Sequence, residues 1–139
     1  MQDNKSILAL DIGLKRIGVA RADEVAQIAT PLVTIKNDSK VFNKIQQLIE
    51  ENHATTLVIG IPKNARGEET QQTIYTNEFI GKLKDFVTIT MHLQDEALTS
   101  LLAKQELQTK SKSYNKDDID KLAATYILQD YIDQNLRTN

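Results

Sequence analysis

Four acidic residues stand where an acid is costly or unexplained. Asp11 lies in the apolar run Ile7-Leu-Ala-Leu-Asp-Ile12, in phase with Ile7 and Ala9. The alternation of a strand therefore turns its carboxylate to the same side as core residues. A carboxylate buried there is costly unless it is paired or ligated, so Asp11 either caps the turn at Gly13 or holds a cation. Asp95 and Glu96 follow directly on the β-rich run 86–93. Ligands of mostly parallel sheets bind at the carboxyl ends of strands, whereas the plainer reading is a solvated loop or a helix start with Asp95 or Thr99 as N-cap. Asp120 shares the i, i+4, i+7, i+11 spacing of one helix face with Ala124, Ile127 and Tyr131. Its neighbours Asp117 and Asp118 need no such role, because acids in a first turn complement the helix dipole.

Three carboxylate positions in a chain without Cys indicate a hard cation, Mg²⁺ or Mn²⁺, rather than zinc. Two such ions about 3.5–4 Å apart can clamp a phosphodiester, one activating water and the other stabilising the leaving oxygen. The two histidines add little, since His53 ends a predicted helix and His92 sits in a predicted strand.

The elements that must carry these acids follow from periodicity. Residues 7–12 and 17–22 read as strands joined by a hairpin-length connection, Gly13-Leu-Lys-Arg16. A third strand is expected over 28–35, its early Pro31 suiting an edge. Val41, Ile45, Leu48 and Ile49 recur at helical spacing, which predicts a helix over 39–52 with Ser39 as N-cap. A strand over 55–61 stops at Pro62, and a helix is expected over 70–83 with Ile74, Phe79, Ile80 and Leu83 inward. A strand over 86–93 follows, then helices over 98–107 and 117–132. This order predicts an α/β fold, with a central five-stranded mixed sheet, an antiparallel meander of the first three strands and helices on both faces.

Composition narrows the classes further. A chain of 139 residues has the size of one domain, so a single domain over 1–139 is expected. Zero Cys excludes disulfides, thiolate metal sites and a Cys nucleophile. With 17 Lys+Arg against 19 Asp+Glu, the net charge of −2 exerts no global pull toward nucleic acid or anionic membranes. The opening apolar run ends at Asp11, too short for a signal or a membrane span, so a cytoplasmic protein with no membrane partner is expected.

At these residues the chain resembles the YqgF family, the pre-16S rRNA nuclease or Holliday junction resolvase family of the ribonuclease H-like fold. The resemblance rests on four motifs in order: 10-LDIGLKRIGVA-20, 60-GIPKN-64 with Gly67, 95-DEALTS-100 and 119-IDKLAA-124. It implies a ribonuclease H-like nuclease domain with an acidic, metal-binding active site formed by Asp11, by Asp95 or Glu96, and by Asp120. If the strand's period of two persists, Asp95 shares a face with Leu93 and Glu96 takes the other; both acids are retained as catalytic and metal-binding candidates. Where the family has Arg after Asp-Glu, this chain has Ala97. Ala can pair with neither a carboxylate nor a phosphate, which puts phosphate positioning in doubt more than metal binding.

Lys15, Arg16, Lys63 and Arg66 are the substrate-binding candidates near this site, with Arg16 and Lys63 favoured for a phosphate. The lysines of 104–121 could track a nucleic-acid backbone, or simply form a solvated face. The implied activity is metal-dependent hydrolysis of phosphodiester bonds by a two-metal-ion mechanism, most readily in a ribosomal RNA precursor, with a branched DNA junction as alternative. An actin-type phosphotransferase shares the Asp-x-Gly strand but needs two such domains, and a non-catalytic nucleic-acid-binding module is favoured by Ala97 alone. Either a monomer or a homodimer is compatible with the sequence; symmetric junction cleavage would need the dimer.

Overall fold

A computed structural model describes residues 4–64, 66–96 and 115–136. Strands β1 (Ser6–Ile12), β2 (Arg16–Asp23) and β3 (Thr30–Lys36) form the expected antiparallel meander. Helix α1 (Val41–Glu51), β4 (Ala54–Ile61), α2 (Gln71–Leu83), β5 (Thr90–Asp95) and α3 (Lys116–Asn135) follow. The sheet order is β3-β2-β1-β4-β5, with β4 parallel to both β1 and β5. The carboxyl ends of β1, β4 and β5 therefore lie at one end of the sheet.

Alternation along the strands builds two cores. Leu8, Leu10 and Ile12 of β1, with Leu57, Ile59 and Ile61 of β4, pack under Val41 and Ile45 of α1 and Phe79, Ile80 and Leu83 of α2. Ile7 and Ala9, with Ala20, Ala22 and Val58, face α3 through Ala124, Ile127, Leu128, Tyr131 and Ile132. Helices thus cover both faces, as expected. Pro31 falls on edge strand β3, beside a register shift at Val19/Ala20, where its missing N–H breaks no central ladder.

Three local expectations are corrected. Ser39 does not cap α1: the N-cap position is Lys40, with no side-chain cap, and the Lys40 N–H donates to Asp38 Oδ1 at 3.0 Å. Ile74 is 50% exposed, because Thr73 and Thr76 occupy the buried face of α2 with Phe79, Ile80 and Leu83. The last strand begins at Thr90 rather than residue 86, because the Phe86 and Val87 N–H groups donate to the Leu83 carbonyl and extend the exit from α2. The expected helix 98–107, the motif residues Ala97 to Ser100 and the lysines of 104–114 lie outside the described residues. Among the described residues, no helix is long and apolar enough to cross a membrane.

Candidate active site

Asp11 is the penultimate residue of β1, and its cross-strand partner on β2 is Gly18. Partners in an antiparallel ladder share a face, and here that face is the one turned to α3. A side chain at Gly18 has no room: a Cβ there would stand 1.9 Å from the Asp120 carbonyl oxygen and 2.8 Å from the Lys121 nitrogen. Further along α3, a Cβ at Gly60 would meet Ile127 Cδ1 at 2.5 Å. Glycines on β2 and β4, with Ala9 and Ala20 between them and Ala123 and Ala124 on the helix, let α3 lie close on the sheet. This close approach sets Asp120 beside the end of β1.

The helix itself starts from a capping box. Asn115 Oδ1 accepts from the Asp118 N–H at 2.9 Å, and Asp118 Oδ2 accepts from the Asn115 N–H at 3.4 Å. Asp117 and Asp118 thus occupy the first turn, while Asp120 is only 17% exposed at its side chain.

Asp11, Glu96 and Asp120 line one cleft of about 470 Å³ at the carboxyl ends of β1, β4 and β5. The choice between the two adjacent acids follows from strand phase. Asp95 pairs in register with Ile61 and its side chain is 73% exposed, with Oδ1 3.4 Å from Lys63 Nζ. The Glu96 N–H donates to the Ile61 carbonyl at 2.9 Å, which carries the strand-like path one residue further and brings Glu96 to the α3 side. Asp95 does not line the cleft.

Among the cationic candidates, Lys15 and Arg16 line the cleft, whereas Lys63 faces Asp95 and Arg66 stands away from it. Arg16 Nε donates to Asp120 Oδ2 at 2.6 Å and stands 3.7 Å from Asp117 Oδ1. The hydrogen bond to Asp120, reinforced by its charge, holds the Arg16 guanidinium above its ordinary value.

Two residues escaped the sequence analysis. Gln72 lines the cleft from the first turn of α2 and donates to the Ile12 carbonyl at 3.0 Å. Asn37 donates to the Gly13 carbonyl at 2.8 Å and to the Tyr75 hydroxyl at 2.7 Å, pinning the β1–β2 turn. Neither has a spacing signal; the sole clue for Gln72 was its place at the start of the helix after Gly60-x-Pro62.

The donor set suits a hard cation: three carboxylates from three elements, with no softer ligand in the cleft. A positive group already contacts one of them, since the Arg16 guanidinium stands on Asp120. Among the described residues, no three acidic or histidine side chains are grouped closely enough to hold an ion as they stand.

Comparisons with known proteins bear on the family and the fold. Residues 5–134 match the family model described as "RuvX: Holliday junction resolvase". A protein of Sulfurihydrogenibium sp. named "Putative pre-16S rRNA nuclease" is 47% identical over 130 residues, covering 92% of this chain and 90% of the relative. One of the same name from Thermoanaerobacter pseudethanolicus is 41% identical over 132 residues, covering 91% and 95%. Among solved structures, T. thermophilus RuvC in complex with Holliday junction substrate aligns with a TM-score of 0.61 at 12% identity, covering 94% of this chain and 96% of that one. That likeness is one of fold, and it is the ribonuclease H-like fold expected from the motifs. With its motifs in order and matched nearly end to end, the chain belongs to the RuvX, or YqgF, family of nucleases.

Proposed function

We propose that this protein is a cytoplasmic metal-dependent endonuclease that hydrolyses phosphodiester bonds in structured RNA, at the 5′ end of precursor 16S ribosomal RNA. The observation that carries the reading is the convergence of Asp11, Glu96 and Asp120, from three separate elements, on one cleft. The relatives' names, matched over nine-tenths of their length, support the RNA substrate. The family description favours a second reading, cleavage of a branched DNA junction.

In this mechanism Asp11, Glu96 and Asp120 would hold Mg²⁺ or Mn²⁺, and Asp95 stays outside on Lys63. Ions so held supply Lewis acidity, activating water and stabilising the departing oxygen. Water adds to phosphorus and the bond to the leaving oxygen breaks, with no covalent intermediate on the protein. Among the described residues no Ser, Thr or Tyr lines the cleft as a competing nucleophile. Arg16, once off Asp120, offers its guanidinium to a phosphate oxygen in the bidentate geometry that suits it, and Lys15 adds a second charge. Asn37 and Gln72, bonded to backbone carbonyls of Gly13 and Ile12, keep the strand end and turn fixed while substrate enters.

The test is Mg²⁺- or Mn²⁺-dependent cleavage of a precursor ribosomal RNA beside a four-way DNA junction, with folded Asp11→Asn and Asp120→Asn variants. Cleavage of the RNA by wild type alone is the expected result. Preference for the junction selects the second reading, and equal cutting by the Asn variants removes both.

A further inference from the structure

A second groove, of about 560 Å³, lies on the other side of the β1–β2 turn. Leu14, Lys15 and Arg16 line both it and the carboxylate cleft, so the two are continuous around the turn. Lys36 lies on its wall and is the direct cross-strand partner of Arg16. Like charges directly opposite each other destabilise a sheet, and Arg16 relieves this by turning to Asp120 and Asp117. Lys36 and Lys15 have no ion-pair partner among the described residues.

The groove's two acids are already engaged. Asp117 faces Arg16, while Asp38 stands 3.9 Å from Lys44 and accepts from the Lys40 N–H. The uncompensated charge on the wall is therefore positive, in a chain whose net charge is negative. Leu14, 64% exposed at the tip of the turn, gives the rim shared by the two grooves an apolar surface. The turn is held rigid: the Gly13 N–H donates to the Arg16 carbonyl at 3.0 Å, and the Asn37 N–H to the Lys15 carbonyl at 2.9 Å.

Cations beside an exposed apolar side chain suit a ligand with regularly spaced negative charges and apolar faces, which describes a nucleic-acid strand. We infer that the second groove is a substrate subsite: the strand cleaved at the carboxylates continues over Leu14, and Lys36 and Lys15 take its flanking phosphates. The inference rests on the nuclease reading and extends it to substrate length. Lys36 lies about one strand spacing, roughly 5 Å, beyond Arg16, on the order of one nucleotide step along a strand, so a mononucleotide held in the cleft does not reach it.

The experiment is fluorescence anisotropy with labelled RNA, a mononucleotide and a single-stranded dodecamer, in the presence of a chelator so that nothing is cut. Wild type is compared with Lys36→Gln, Lys36→Glu and the control Lys82→Gln, whose residue lies in the last turn of α2, at the end away from the cleft. Lys36 is exposed, so its variants should keep the wild-type melting temperature. Lys36→Gln should weaken the dodecamer by about three- to tenfold and lower its log–log salt slope by about 0.7, leaving the mononucleotide unchanged. Lys36→Glu should weaken the dodecamer further, and Lys82→Gln should do nothing. Equal effects on both lengths, no effect, or the same effect from Lys82→Gln would overturn the subsite. If wild type cuts RNA yet Lys36→Gln binds normally, the subsite alone fails; if wild type neither binds nor cuts nucleic acid, the nuclease reading fails with it.

Discussion

Replacing Gly18 with Ala adds one methyl group at the point where α3 rests on the sheet. That carbon would sit 1.9 Å from the Asp120 carbonyl oxygen, against a floor of 3.0 Å that real Cβ contacts essentially never cross, so helix and strand must separate by about 1.1 Å. The obstructing atoms are backbone, and no rotamer change can remove them. Overpacking of this kind costs about 1–3 kcal/mol. At about 3–4 °C per kcal/mol for a chain of this length, the expected fall in melting temperature is roughly 3–12 °C. The same displacement carries the Asp120 carboxylate away from Asp11, and a misplacement of about 1 Å at reacting groups can cost about 100-fold in rate. Turnover of Gly18→Ala on the cleaved substrate, measured well below its melting temperature, should therefore fall about 100-fold while the variant stays folded by circular dichroism. Gly81→Ala is the control: apart from its own helix backbone and chain neighbours, no atom lies within 4 Å of a Cβ there, and inside α2 the change should stabilise by about 0.5–1 kcal/mol with activity unchanged. A folded Gly18→Ala protein with activity within a few-fold of wild type would refute the argument that this glycine sets the position of Asp120.

Further outcomes follow from the same geometry. Glu96→Gln should abolish cleavage while Asp95→Asn retains most of it, because only Glu96 lines the cleft and Asp95 faces Lys63; single-turnover assays distinguish them, and the reverse order would reassign the site. Burial raises the Tyr131 phenol above its ordinary value of 10.0. The native chain then keeps a proton that the unfolded chain has released, so the contribution is complete below about pH 10 and is lost as pH rises through the folded value. Melting temperature should accordingly fall more steeply above pH 10 in wild type than in Tyr131→Phe, and equal slopes would show that the phenol is not the titrating group. Installing Arg at Ala97 should raise the cleavage rate with metal affinity unchanged by calorimetry; an unchanged rate would show that the Arg is dispensable in this chain.

The acids were legible because each is read against its own element. Period two turned Asp11 to the face of Ile7 and Ala9, and helical spacing placed Asp120 with Ala124, Ile127 and Tyr131, all three of which are buried against the sheet. Pro31 marked an edge strand for an equally local reason, its missing N–H. Local periodicity orients a side chain within its element but does not say where the element begins, ends or comes to rest. Ser39 lost its capping role, and the strand expected from residue 86 started at Thr90, because neighbouring turns claimed the backbone groups first. Which of Asp95 and Glu96 enters the cleft depended on pairing with Ile61 of β4, a contact between residues more than thirty apart in the chain. The same holds for Gly18, an unremarkable small residue in sequence whose lack of a side chain admits the backbone of Asp120, and for Arg16, drawn onto a carboxylate 104 residues away. The sequence by itself determined which acids could do chemistry and which way Asp11 and Asp120 face on their strand and helix, since those follow from bond geometry. Only the tertiary structure decided which of them meet, because that depends on how closely α3 packs on the sheet and on where three parallel strands end together.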